Sequence, residues 1–130
     1  PTIIEGIYEA LGNFGFEGGN VLEPAMGVGN FFGCMPKEMQ DNSKLYGVEI
    51  DSISGRIAQA LYPDADIAIQ GFEKNRFQNG SFDVAVGNVP FGELGFREEN
   101  PIKVHPNIIY STFCGSRMFL FSVSPLSRNL

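Results

Sequence analysis

Asn20-Val21-Leu22-Glu23-Pro24-Ala25-Met26-Gly27-Val28-Gly29-Asn30-Phe31 is the stretch that decides how this chain folds. Residues 20–25 read as a short, mostly apolar strand. Gly27 and Gly29, on either side of Val28, allow a tight turn whose backbone can approach a ligand closely. A helix opens at Asn30, and its first amides have no partner within the helix. A strand that passes through a Gly-x-Gly turn into a helix is the first half of a βαβ unit. The turn departs from the G-x-G-x-x-G dinucleotide fingerprint. Phe32 stands where the third glycine belongs, and Gly33 comes one residue late. A pyrophosphate would find such a turn less well built. Taken alone, a Gly-x-Gly turn is equally any tight strand-to-helix connection.

The pattern continues outward on both sides. Upstream, Thr2 and Glu5 form a T-x-x-E capping box, and Ile3, Ile4, Ile7, Tyr8 and Leu11 make one stripe of a 3.6-residue period. A helix is expected over 2–12, stopped at Gly12. Downstream, Pro36 starts a second helical turn after the one at Asn30. Strands are expected at 45–50, 66–70 and 82–87. Asp51 caps a helix that presents Ile53, Ile57, Ala60 and Leu61 to the core and ends before Pro63. The result is an α/β fold: a mostly parallel sheet with helices on both faces and right-handed crossovers. Beyond residue 100 the periodicity fails. Met118 to Val123 reads as a possible strand, and the natural domain is expected to continue past residue 130.

Length and composition agree with one globular domain. The chain has 130 residues, of which 43% are hydrophobic, so wholesale disorder is excluded. No run of 18 apolar residues occurs, which excludes a membrane-spanning helix. Pro1 to Glu5 lacks the basic start of a signal peptide. Cys34 and Cys114 make neither a disulfide framework nor a metal site, so a reduced, cytoplasmic setting without membrane or metal is expected. Residues 1–99 carry a formal charge of −9 and residues 100–130 carry +3. Phosphate contacts need clustered Lys and Arg, so the acidic body is a poor nucleic-acid binder by itself.

Two further motifs bear on chemistry. Glu49 ends the second strand, 20 positions after Gly29. A carboxylate at that place accepts hydrogen bonds from ribose hydroxyls in Rossmann-like sites. A solvated strand-end glutamate is the plain alternative, and the glycine turn at this spacing favours ribose. Asn88-Val89-Pro90-Phe91 follows the fourth strand, at the sheet edge where open α/β folds bind ligands. An Asn before a Pro is often only a turn, but its place after a buried strand favours a site. Asp83, inside an apolar strand, is expected either to turn toward an edge or to pair with a buried donor, and to have no catalytic role. His105 reads as a loop histidine.

Together, E-P-A-x-G-x-G-N-F, a strand-end Glu and N-x-P-F resemble the S-adenosylmethionine-dependent amino-methyltransferases, particularly the DNA adenine-N6 methylases. The resemblance covers about residues 1–95. It implies a Rossmann-like methyltransferase fold, with a cofactor-binding core over 1–99 and a C-terminal segment over 100–130 that has no counterpart in the family. The family's later strands and its target-recognition region are absent from the resemblance. It implies S-adenosylmethionine held by Thr2, Glu23, Ala25, Gly27, Gly29, Asn30, Phe31, Glu49, Ile50, Gly71 and Phe72. For Phe72 a core phenylalanine is nearly as good a reading. It implies a catalytic tetrad of Asn88, Val89, Pro90 and Phe91, with Val89 where the family has proline. The implied partner is DNA, bound through basic surface from outside this chain. Related tetrads serve methylases of protein glutamine and of ribosomal RNA guanine N2, which also present planar amino groups. An NAD-type oxidoreductase is disfavoured by Phe32 and by the tetrad. A non-catalytic nucleotide-binding or interaction domain is the competing class.

Overall fold

The computed structural model describes residues 2–78, 81–88 and 119–121. Helix α1 spans Thr2–Asn13, followed by strand β1 at Asn20–Glu23. Two short helices come next, α2 at Asn30–Gly33 and α3 at Lys37–Asp41. Strand β2 is Lys44–Glu49, helix α4 is Ser52–Leu61 and strand β3 is Asp66–Ile69. A single 3-10 turn at Phe72–Lys74 leads to β4 at Val84–Gly87, and β5 is Phe119–Phe121. Each of these expected strands is present: β1, β3 and β4 are shorter by one or two residues, and β2 keeps its length but starts one residue earlier. Pro36 is the N-cap of α3 and not its first residue, with extended backbone that a pyrrolidine ring accommodates.

The sheet runs β3-β2-β1-β4-β5. The first four strands are parallel, with β1 between β2 and β4. The carboxyl ends of β1, β2 and β4 therefore share one edge. Strand β5 pairs antiparallel with the outer side of β4, Val86 facing Leu120. It falls inside the Met118–Val123 stretch that reads as a strand in the sequence.

One face of the sheet carries the core. Val21, Leu45, Ile67, Val84 and Val86 project from alternating positions into a cluster with Ile4, Tyr8 and Leu11 of α1, Phe31 and Phe32 of α2, Met39 of α3 and Ala58 of α4. Tyr8 and Leu11 are almost fully buried, and each such side chain contributes on the order of 1.5–3 kcal/mol, enough to hold α1 in place. Tyr46, Phe77 and Phe82 form a separate edge-to-face aromatic cluster, with Lys44 over the Tyr46 ring.

Helix α4 corrects its expected orientation. Ile53, Ile57 and Leu61 are 70%, 45% and 58% exposed, and Ala60 is exposed too. Gly55 and Ala58 are the buried positions. A Cβ on Gly55 would meet Ile69 Cγ1 at 2.8 Å, so the helix lies on the sheet through its smallest residues. Packing of the Ile69 side chain against Gly55 selected the small-residue face over the larger apolar stripe. Asp51 does cap α4, its carboxylate accepting from the Ser54 amide at 2.8 Å.

Asp83 holds the start of β1. Its carboxylate accepts from the Asn20 amide at 2.7 Å, and its own amide donates to the Asn20 carbonyl at 2.9 Å. The reciprocal pair satisfies a polar group beside a buried strand. No helix among the described residues is long and apolar enough to cross a membrane. Among them, no group of three or more His, Cys, Asp or Glu could hold a metal.

Candidate cofactor site

The site is built where β1 ends. Gly27 and Gly29 take left-handed backbone, with φ of 55° and 86°, a region that side chains with a Cβ rarely enter. The turn is tied to its surroundings at several points. The Met26 amide donates to the Val48 carbonyl at 3.0 Å, and the Gly29 amide donates to the Met26 carbonyl at 2.8 Å. The Gly27 amide donates to Glu49 Oε2 at 2.6 Å, and the Asp51 amide donates to Glu49 Oε1 at 2.8 Å. The glycine turn and the strand-end acid, 22 residues apart, are thus in direct contact. A carboxylate offers about four lone-pair sites, so Glu49 keeps acceptor capacity for further donors. Ile50, beside it, is 75% exposed.

Below the turn lies a buried acid. Glu23 is 2% exposed, and its Oε2 has no hydrogen-bond partner among the described residues. Burial pushes its pKa up to about 9, the Phe31 and Phe32 amides pull it back, and the Glu49 charge raises it further. At neutral pH the Glu23 carboxyl therefore holds its proton. A neutral buried acid beside an open turn is a group that an incoming cation would ionise.

The other expected site residues fall into three groups. Thr2 opens α1, Ala25 is half-buried in the turn and Asn30 is exposed at the start of α2. Phe31 is 3% exposed, so its ring belongs to the core, while its carbonyl accepts from Tyr8 of α1 and its amide lies against Glu23. Gly71 is buried after β3, and Phe72 is half-buried in the 3-10 turn. Asn88 is exposed just past β4. Its neighbour Gly87 lies against the site, since a Cβ there would meet Pro24 Cδ at 3.4 Å. Parallel β1 and β4 thus bring Asn88 to the edge that carries Gly27. Val89, Pro90 and Phe91 lie outside the described residues.

Two tyrosines that the sequence reading passed over also hold this region. The Tyr8 hydroxyl donates to the Phe31 carbonyl at 2.8 Å, and the Tyr62 hydroxyl donates to the Gly29 carbonyl at 2.7 Å. Burial raises both phenols above their ordinary pKa, with Glu23 adding to the shift. Neither residue carried a local signal. Tyr8 read as one of the core stripe, and Tyr62 is 33 positions from its acceptor.

Two cavities, of about 370 and 390 Å³, lie at the amino ends of the strands, one between α3 and the end of α4 and one beside the aromatic cluster. Ligands of open parallel sheets seat at the opposite, carboxyl edge, where the turn, Glu49 and Asn88 are.

No family model matches the chain. It is 41% identical over 92 residues to the "Defense against restriction protein B" of Escherichia phage P1, a match covering 69% of this chain and 4% of that protein. It is 32% identical over 105 residues to the type II methyltransferase M.CvrRI of Paramecium bursaria Chlorella virus XZ-6E, covering 78% of this chain and 26% of that protein. The chain thus spans about a quarter or less of the length of these curated relatives. In structure it resembles a TehB-like SAM-dependent methyltransferase from Corynebacterium glutamicum, with a TM-score of 0.50 and 19% identity over 65% of this chain and 43% of that one. Parallel pairing in the order β3-β2-β1-β4, a glycine turn at the end of β1 and this structural neighbour identify the chain as a Rossmann-like methyltransferase fold.

Proposed function

We propose that the chain is the S-adenosylmethionine-binding core of a methyltransferase that acts on the N6 amino group of adenine in DNA. The observation that carries this reading is the shared carboxyl edge. The Gly27–Glu49 contact and Asn88 stand together there because β4 pairs with β1. The N-x-P-F tetrad supports an amino acceptor, and similarity to a type II methyltransferase supports methyl transfer.

The donor set fits the cofactor. Glu49 has acceptor capacity for ribose hydroxyls, Ile50 offers an exposed apolar surface for a base, and the unpartnered Glu23 oxygen suits a cationic group. When bound, S-adenosylmethionine supplies a methyl group already activated on a sulfonium. The difficulty left to the protein is the adenine amine, whose lone pair is delocalised into the ring. The Asn88 amide oxygen and the Val89 carbonyl would accept the two N–H bonds and localise that lone pair toward the methyl. Phe91 would stack on the base. Valine has the same carbonyl as the family's proline on a freer backbone. Positioning for in-line transfer does the rest. In duplex DNA the adenine must first be flipped out.

Glu49→Ala is expected to weaken S-adenosylhomocysteine binding about tenfold or more, because charge-assisted hydrogen bonds are worth roughly 1.5–3 kcal/mol each. Calorimetric titration measures this, and an unchanged affinity would remove Glu49 from the site. The −9 charge of residues 1–99 repels phosphate. Specific DNA interfaces bury roughly 1,000 Å² or more of strongly positive surface. Filter binding of this 130-residue chain is therefore expected to show weak DNA association or none. Tight, sequence-specific binding would overturn the view that basic surface must be supplied from elsewhere.

A further inference from the structure

Gly33 is the glycine that comes one residue late for a dinucleotide fingerprint, and the structure gives it another purpose. Gly29 and Gly33 bracket α2, one helical turn apart, and the Gly33 amide donates to the Gly29 carbonyl at 3.0 Å. The Tyr62 side chain fills the notch between them. A Cβ on Gly29 would meet Tyr62 Cε2 at 2.5 Å, and a Cβ on Gly33 would meet the Tyr62 hydroxyl at 2.9 Å. The same hydroxyl donates to the Gly29 carbonyl at 2.7 Å, and the ring packs edge-on against Phe32, with centroids 5.6 Å apart.

We propose that Tyr62 is a positioning residue that locks the Gly27-Val28-Gly29 turn in its cofactor-receiving shape, and that Gly33 is glycine to admit it. The proposal rests on the reading of this edge as the S-adenosylmethionine site. The physical need is plain. Helix α2 has four residues and no side-chain cap, far below the length at which a helix stands by itself. Its turn contains two glycines, the residues with the most backbone freedom to lose. A turn ordered only by its ligand would spend binding energy on its own ordering, whereas one already held does not. Tyr62 supplies that order from the end of α4, outside the motif.

The test uses Tyr62→Phe, Gly33→Ala and the double variant in the full chain. Three quantities are measured: S-adenosylhomocysteine affinity by calorimetry, amide hydrogen exchange over residues 27–33, and melting temperature. Tyr62→Phe keeps the ring, and the Gly29 carbonyl keeps its bond from Gly33, so melting should change little. Affinity should fall roughly 3–10-fold, the worth of one neutral hydrogen bond, and exchange in the turn should quicken. Gly33→Ala places a methyl against the hydroxyl and should weaken binding similarly. In the Tyr62→Phe background that methyl meets no hydroxyl, so the double variant should bind no worse than either single one. Wild-type binding with unchanged affinity in Tyr62→Phe would overturn the proposal alone. So would a drop in melting temperature with turn exchange unaltered, or additive losses in the double variant. Failure of the wild-type chain to bind S-adenosylhomocysteine would overturn the site and this proposal together.

Discussion

Asn88→Ala is expected to lower methyl transfer by roughly 100-fold or more, the scale seen when one preorganised hydrogen-bonding group is removed from a transition state. Asn88 is exposed immediately past β4, and Gly87 keeps it close to Pro24 and the turn. On the proposed reading its amide oxygen is the acceptor that would draw on one N–H of the target amine. Nothing else in its side chain is needed for the fold, since it is solvent-facing and outside the strand. Cofactor affinity should therefore remain within a few-fold of wild type. Asn88→Asp keeps an acceptor oxygen at the same place and should retain part of the activity. The measurement is tritium transfer from labelled S-adenosylmethionine to DNA, made with a longer polypeptide that contains this chain and methylates DNA. A wild-type rate in the alanine variant would remove Asn88 from the mechanism.

The second large effect concerns stability. Glu23 has a folded-state pKa of about 9, against an ordinary value near 4.5. Between these values the folded protein holds a proton that the unfolded chain releases. The stability contribution of Glu23 is thus fully present below about pH 4.5, declines as pH rises, and is lost once pH passes about 9. Glu23→Gln cannot ionise and should remove that slope. The new amide nitrogen replaces an oxygen that already lacks a partner, so little is added to the desolvation cost. At pH 7 the variant should be more stable by on the order of 3 kcal/mol, from about 1.36 kcal/mol per pKa unit. The same change removes the one group buried among the described residues that could become an anion for a cationic cofactor, so affinity should fall as stability rises. Denaturant unfolding between pH 5 and 9 measures the first effect and calorimetry the second. A wild-type curve flat across that range would show that Glu23 is ionised in the folded state.

Local residue patterns were enough to determine the order of elements. Alternating apolar runs, Pro and Gly punctuation and the Asp51 cap placed four parallel strands and the helices to within a residue or two. The glycine turn and Glu49 were legible because each sits at a strand end, where position along the chain sets position in space. Side choice was not legible in α4. Both Ile53-Ile57-Leu61 and Gly55-Ala58 are helical faces, and the Ile69 side chain of β3 packed against Gly55 selects the smaller one. The protonated state of Glu23 depends on burial beneath α2, which no local spacing reveals. Tyr62 reaches Gly29 across 33 residues because α4 returns the chain to the notch beside Gly33. Periodicity specifies which faces a segment owns. Contacts distant in sequence decide which face is used, because backbone separation and burial exist only after the strands have paired.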